Sequence, residues 1–237
     1  MIKLEALYKT LALSVLNNTS VVTDDKLNIE PDRQEYILEF INEGITRLHS
    51  RFVLKTNNVF VEMREGRTTY PLLSRHSYTK YDENIKQSNY FFIMDTFDKP
   101  FEEDVIKILA AYDSRGCERK LNDRFDTHGL FTPRPDTLQC IRPRHCEVLS
   151  VSYQAHHPVL VHGEAGQEVD VPDTFIPALK YWVAYSYYTG LNTSESTAKA
   201  AEYLQMYEAI CEEALDFDLA NSSESNTNVL FYKRGWV

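Results

Sequence analysis

The chain has 237 residues, 43% of them apolar, which is enough to bury the core of one domain or a core with an inserted lobe. Its 35 acidic residues outnumber its 25 basic ones, so the formal net charge is −10. A general nucleic-acid clamp is normally basic, and this balance argues against that class. An acidic wall still suits DNA that slides past without being attracted. Simple solubility explains the charge as well.

Membrane insertion and secretion are both disfavoured by the sequence. No stretch approaches the run of about 20 apolar residues that a membrane span requires. The first ten residues, MIKLEALYKT, contain Glu5 and lack the apolar core of a secretory signal. No CxxC pair occurs among the cysteines Cys117, Cys140, Cys146 and Cys211. We therefore expect reduced thiols in a cytoplasm.

The N-terminal part of the chain predicts two helices. Apolar residues recur at helical spacing at Leu4, Leu7, Tyr8, Leu11 and Val15. A second helix is predicted to begin at Pro31, because proline followed by an acidic residue is typical of a first helical turn. Its apolar stripe consists of Ile37, Ile41, Ile45, Leu48 and Phe52.

The middle of the chain predicts β-structure. Alternation on either side of a turn at Glu65 and Gly66 predicts a β-hairpin, and its alternating residues are Val59, Val61, Met63, Thr68, Tyr70 and Leu72. Further strands are predicted at 90–94, 137–141 and 146–153. Residues 101–112 predict a helix, or a short strand followed by a helix.

The last third of the chain predicts a pair of antiparallel helices joined by a short loop. The first begins after Asp173 and ends at Gly190, a residue favoured just past a helix. Asn192 and Glu195 resemble a capping box that starts the second. The predicted apolar face of the second helix comprises Ala198, Ala201, Leu204, Tyr207, Cys211 and Leu215. Its other face is acidic, with Glu195, Glu202, Glu208, Glu212 and Glu213.

Together these elements predict an α+β fold with a helical bundle core of about four helices, an inserted antiparallel β region and an extended C-terminal tail. The predicted divisions are 1–55 for the N-terminal helices of the core, 56–172 for the β-rich insertion, 173–220 for the C-terminal helical hairpin, and 221–237 for a flexible linker and docking tail.

The C-terminal tail is the first candidate contact site. The polar sequence ANSSESNTN at 220–228 cannot bury a core and is predicted to be a flexible linker. Clustered aromatic residues after such a linker usually mark a contact with a partner. Folding of the tail back onto its own domain is the alternative. The candidate docking residues are Val229, Leu230, Phe231, Tyr232, Lys233, Arg234 and Trp236.

Charged residues form a second candidate, either an interface between subunits or a surface that faces DNA. A local excess of basic residues occurs between residues 47 and 80. It could contact phosphates, or it could complement the acidic last helix of a neighbouring copy, and the negative net charge favours the second interpretation. The candidate residues are Arg47, Arg51, Arg64, Arg67, Glu202, Glu208 and Glu212.

Residues with catalytic or metal-binding chemistry occur, but without a recognised pattern. Zinc sites usually take four ligands in tight pairs, whereas the spacing is loose among Cys140, His145, Cys146, His156, His157 and His162. His145 and Cys146 are adjacent in sequence, which does not make a nucleophile–base pair. We assign no catalytic residue, metal ligand or cofactor. A small metal-dependent enzyme that uses this group remains an alternative.

The order of elements resembles the head-to-tail adaptor (connector) proteins of short-tailed bacteriophages, the tail tubular A or gatekeeper group. One part of the resemblance is DRQEYILEFINEGITRLHSRF followed by VFVEMREGRTTYPL. The other comprises CEVLSVSYQAHHPVLV, EVDVPDTFIPALKYWVAYSYYTGLN and TAKAAEYLQMYEAICEEA. The similarity covers roughly two thirds of the chain. Residues 75–135 contribute nothing to it.

The resemblance implies a virion structural protein that is not an enzyme. Such proteins form a ring, usually of twelve copies, which extends the DNA channel for packaging, retention and ejection of the genome. The implied partners are the portal protein, the tail nozzle or tail tubular protein, further copies of the chain, and double-stranded DNA that passes without sequence-specific binding. The implied location is the neck or tail of the virion after assembly in the host cytoplasm, with no membrane partner. Another neck or tail-completion component is an alternative.

Overall fold

The computed structural model describes residues 2–79, 89–95, 100–126, 128–144 and 147–219. Within them the chain forms four α-helices and eleven β-strands. The helices are α1 (Leu4–Leu13), α2 (Pro31–Arg51), α3 (Ile176–Gly190) and α4 (Ser194–Asp216). The strands are β1 (Ile2–Lys3), β2 (Thr56–Glu62), β3 (Thr69–Pro71), β4 (Ser77–Thr79), β5 (Ile93–Asp95), β6 (Val105–Tyr112), β7 (Glu118–Arg119), β8 (Leu130–Arg134), β9 (Thr137–Cys140), β10 (Val148–Ala155) and β11 (Glu168–Val169).

The prediction of a helical bundle core is wrong, although the combination of helices with mostly antiparallel strands agrees in part with an α+β class. Six strands form one sheet in the order β4-β5-β2-β10-β6-β7, and smaller sheets have the orders β3-β9-β8 and β1-β11. The strands also bury an apolar cluster of their own, which includes Val61, Phe92, Leu138 and Val151. The fold is therefore mixed, because the alternating residues of the strands supply enough apolar surface for a separate core.

The chain divides into two compact units. The first comprises Met1–Leu54 together with Val159–Val237, and the second is Lys55–Pro158. The insertion predicted from the sequence ran from 56 to 172. We call these the helical unit and the β unit.

Helix α2 follows the sequence pattern closely, whereas the predicted apolar face of α4 is only partly buried, since Ala198 and Ala201 are exposed. Helix α2 begins at Pro31 as predicted, and its stripe residues Ile37, Ile41 and Leu48 are fully buried. Helix α4 begins at a different capping box from the predicted Asn192–Glu195 pair. The Ser196 backbone N–H donates to the Thr193 hydroxyl at 3.2 Å, and the Thr193 N–H donates to the Ser196 hydroxyl at 3.0 Å. The helix thus begins one residue later than expected.

In the β unit, the predicted strands form, but the predicted hairpin does not. Strand β2 pairs antiparallel with β10 and with β5, whereas β3 pairs with β9 in another sheet. The Tyr70 hydroxyl donates to the Arg67 carbonyl at 2.7 Å, so a side chain closes the turn in place of a strand ladder. The segment predicted as helical at 101–112 instead forms β6, which pairs with β10 and β7.

Candidate functional site

The candidate arginines of α2 are occupied within the helical unit. The Arg47 guanidinium carbon lies 4.4 Å from the ring centroid of Trp182 in α3 and 5.8 Å from that of Tyr207 in α4. Arg51 forms a salt bridge with Glu208 of α4. These two arginines therefore join α2 to α3 and α4 through cation–π contacts and an ion pair.

The other two candidate arginines are occupied within the β unit. Arg64 is buried and lies 2.9 Å from a Glu62 carboxylate oxygen, and Tyr78 donates a hydrogen bond to the same carboxylate. The Arg67 guanidinium donates to the backbone carbonyl of Thr69 at 2.8 Å and lies 4.2 Å from the Phe92 ring centroid. The four candidate arginines are thus divided between the two units, and each contacts neighbours in its own unit. Arg75 of the predicted patch is exposed, and Lys80 lies outside the described residues.

The candidate glutamates of α4 differ from one another in environment. Glu208 pairs with Arg51, whereas Glu202 and Glu212 are exposed, as are Glu195 and Glu213. Leu215 was predicted to face the core, but the structure exposes 56% of it. The acidic face of α4 is therefore largely exposed to solvent. Exposed apolar residues follow it at the C-terminal end of the helix.

The C-terminal end of α4 forms a compact exposed surface. The Leu219 N–H donates to the Ala214 carbonyl at 2.9 Å, and Asp218 adopts a left-handed conformation with φ of 51°, which closes the helix in a Schellman turn. Phe217 is 69% exposed beside this turn. We define the acidic α4 surface as Glu212, Glu213, Leu215, Asp216, Phe217 and Leu219. An apolar centre with a charged rim is typical of a protein interface.

A second surface, which sequence reasoning missed, lies on loops of the β unit. Phe125 is 97% exposed on a loop in which the Asp123 carboxylate accepts from the Phe125 N–H at 3.0 Å and the Asp126 carboxylate accepts from the His128 N–H at 2.9 Å. Arg124 on the same loop is exposed. The carboxylates therefore hold the loop shape while the ring and the guanidinium point into solvent.

Two further loops meet the Phe125 loop at an open groove of about 680 Å³. Arg115, Arg144 and His128 line this groove. The carboxylate of Asp113 accepts from the N–H groups of Cys117 and Arg115, and these bonds lower its pKa, so it remains an anion turned toward its own backbone. We define the Phe125 surface as Arg115, Arg124, Phe125, His128 and Arg144. Its signal in the sequence is the excess of arginine in 115–144.

A third feature is a polar cleft of about 500 Å³ in the β unit. At its base the Asp104 carboxylate accepts from the Tyr153 hydroxyl at 2.8 Å and from the Asn57 amide at 3.0 Å, with the Lys55 ammonium at 3.5 Å. Burial and the hydrogen bond to Asp104 raise the pKa of Tyr153 above its usual range, so the phenol stays protonated as a donor. These hydrogen bonds link β2 and β10 to Asp104, the residue just before β6.

The Cys/His group does not assemble into a reactive site within the described residues. His145, Cys146 and the tail from Val229 to Val237 lie outside them. Cys140 is buried, and burial raises the pKa of its thiol, which is the opposite of nucleophile activation. His157 contacts the carbonyl of neighbouring Pro158. In the described part of the chain, no three His, Cys, Asp or Glu residues are grouped so that they could hold a metal ion.

Burial of His76 predicts that the stability of the β unit depends on pH. The buried ring stacks on Phe92, and its Nδ1 lies 2.9 Å from the Tyr90 carbonyl; burial lowers its pKa. The unfolded chain, with a His pKa of about 6.5, therefore binds the proton more readily.

We expect the free energy of unfolding to fall as the pH drops below about 6.5, by up to about 1.4 kcal/mol per pH unit from this group. Urea unfolding of wild type and His76→Phe from pH 7.5 to 5 measures it. A slope in His76→Phe equal to that of wild type contradicts the assignment.

Comparison with known proteins gives no family assignment. No protein-family model matches the chain, and no curated protein matches it significantly. None of the helices within the described residues combines the length and apolar character needed to cross a bilayer.

Proposed function

We propose that this chain is a structural subunit of the head-to-tail adaptor of a short-tailed bacteriophage. In this role it joins the portal protein to the tail nozzle as one copy of a ring, and double-stranded DNA passes through the ring without sequence-specific binding. The subunit acts in the neck or tail of the virion and performs no catalysis.

The observation that carries the proposal is the exposed end of α4. Leu215, Phe217 and Leu219 present apolar area to solvent, surrounded by carboxylates, directly before the tail. A chain that exposes such a patch on an ordered element is suited to contact another protein. The segments that resemble the adaptor family form α2, β2, β3, β10, β11, α3 and α4, with β4 to β9 between the two groups. These facts support an assembly role.

Deletion of Val229 to Val237 tests the proposal at the tail. We expect the truncated chain to keep its folded core, because the buried cluster of the helical unit lies within residues 4–214. We expect attachment to portal to weaken by more than about 2 kcal/mol, which is roughly 30-fold, because aromatic anchors dominate interface energy. Co-sedimentation of the full-length and truncated chains with portal from the same virus measures the loss.

Two controls make the tail experiment specific. Replacing Lys233 and Arg234 by serine keeps the aromatic residues of the tail. This variant separates the contribution of the aromatic residues to portal binding from that of the charges. Urea unfolding of each variant reports on the fold. A truncated chain that unfolds more easily yet binds portal normally contradicts the docking role of the tail. A full-length chain that stays monomeric and never binds portal contradicts the proposed function.

A further inference from the structure

We propose that the Phe125 surface of one copy docks on the acidic α4 surface of the next copy. The inference rests on the proposed function, because a ring needs a contact between two different surfaces of the same chain. An interface of this head-to-tail kind closes into a ring when the rotation between copies is correct.

The candidate arginines between 47 and 67 already have neighbours in their own units, although Arg47 and Arg51 remain exposed. Arg51 pairs with Glu208, Arg64 with Glu62, and Arg67 lies on Phe92. The acidic α4 surface therefore keeps its exposed carboxylates, and a cationic partner surface has to come from elsewhere in the chain.

The Phe125 surface exposes the cationic groups that the acidic α4 surface requires. Its arginines Arg115, Arg124 and Arg144 are all exposed. The nearby carboxylates Asp123 and Asp126 accept hydrogen bonds from backbone N–H groups of their own loop. The groove also contains Asp113 and Glu147, which are only partly exposed and pair with Arg115 at 3.7 Å and with Arg119 at 3.1 Å. The most exposed charges of this surface are therefore its arginines, in a chain whose net charge is −10. Complementary potentials of this kind steer association and set the register of an interface.

Both surfaces also expose apolar side chains. Phe125 is a single ring that is 97% exposed, and the α4 surface offers Leu215, Phe217 and Leu219 in the centre of its carboxylates. Burial of the Phe125 ring on these apolar residues brings the arginines of the loop toward the carboxylates of the helix.

Charge reversal on each surface tests the contact. The loop variant carries Arg124→Glu and Arg144→Glu, and the helix variant carries Glu212→Lys and Glu213→Lys. We expect each variant alone to associate at least about tenfold more weakly than wild type, because its two surfaces repel. An equimolar mixture should recover association, because each surface of one variant then meets an opposite charge on the other. Sedimentation velocity of the full chain, alone and with portal, measures this.

The control and the second variant keep the result interpretable. A chain with Lys9→Glu and Arg33→Glu makes the same change in net charge as the loop variant, but at exposed positions of α1 and α2. It should associate as wild type does. Phe125→Ser removes the anchor without changing charge and should also weaken association.

The contrary outcomes are distinct. Variants that associate like wild type, or impaired variants whose mixture does not recover, overturn the inference and leave the proposed function standing. A wild-type chain that stays monomeric with portal contradicts both. A loop variant that loses binding to double-stranded DNA while it assembles normally assigns the Phe125 surface to DNA and overturns the docking between copies.

Discussion

Replacing Gly44 with valine is expected to lower the free energy of unfolding by about 3 kcal/mol, because α2 and α3 approach too closely to admit a side chain at this position. A Cβ on Gly44 would lie 2.7 Å from both the Leu179 Cδ1 and the Trp182 Cδ1 atoms. Overpacking of a filled core costs about 1–3 kcal/mol, and two more methyl groups place valine at the upper end.

The tryptophan cannot move aside easily, which is why the effect should be large. Trp182 is buried, Arg47 covers its ring, and the Tyr207 ring centroid lies 5.3 Å away. Gly44→Ala should be milder, because the gain of about 1 kcal/mol in helix propensity offsets part of the clash. Urea unfolding followed by circular dichroism measures both variants.

The neighbouring residue supplies a control for the Gly44 experiment. Glu43 is exposed on the same helix, so Glu43→Val changes helix propensity by less than about 1 kcal/mol and meets no packed neighbour. A Gly44→Val protein as stable as Glu43→Val would show that the two helices do not meet at Gly44.

Removal of the Asp104 carboxylate should have the second large effect. Asp104→Ala leaves the Tyr153 hydroxyl, the Asn57 amide and the Lys55 ammonium without their shared acceptor. A donor left unsatisfied in a mostly buried place costs about 1–3 kcal/mol, and loss of one partner of a buried ion pair costs about 3–5 kcal/mol. Lys55 is partly exposed, so we expect a total loss of about 3 kcal/mol in the free energy of unfolding.

The same substitution has a spectroscopic readout. Burial keeps the pKa of Tyr153 high, and the hydrogen bond to Asp104 raises it further. Asp104→Ala should therefore lower the pKa of Tyr153, which ultraviolet titration detects. Asn58→Ala, at an exposed and uncharged position in the same cleft, is the control and should change neither quantity. Wild-type stability in Asp104→Ala would mean that the carboxylate does not hold the cleft together.

Helix positions in this chain were predictable because the information is local. The stripe from Ile37 to Leu48 repeats at helical spacing, and Pro31 and Gly190 punctuate the ends of α2 and α3. Capping was less predictable, since Asn192, Thr193 and Ser194 are all acceptable N-terminal residues. Side-chain geometry, with Ser196 bonded to Thr193, decided among them.

Strand positions were predicted better than strand partners. The alternation at Val59 and Val61 indicates a strand, but it cannot state that Val59 lies opposite Val151, far away in the sequence. Residues 105–112, VIKILAAY, form a short apolar run that suits a helix or a buried strand equally. Pairing on both sides with β10 and β7 decided for the strand.

The candidate contact residues likewise show what the sequence can predict and what depends on the tertiary structure. The sequence by itself determined the acidic face of α4 and the arginine-rich composition of 115–144, because charge is a property of each residue. Only the tertiary structure decided which charges remain exposed. It placed Arg47 on Trp182 and Arg51 against Glu208, and it left Phe125 and Phe217 in solvent. The reason is that pairing and burial depend on neighbours brought together by folding, which no local pattern of residues specifies.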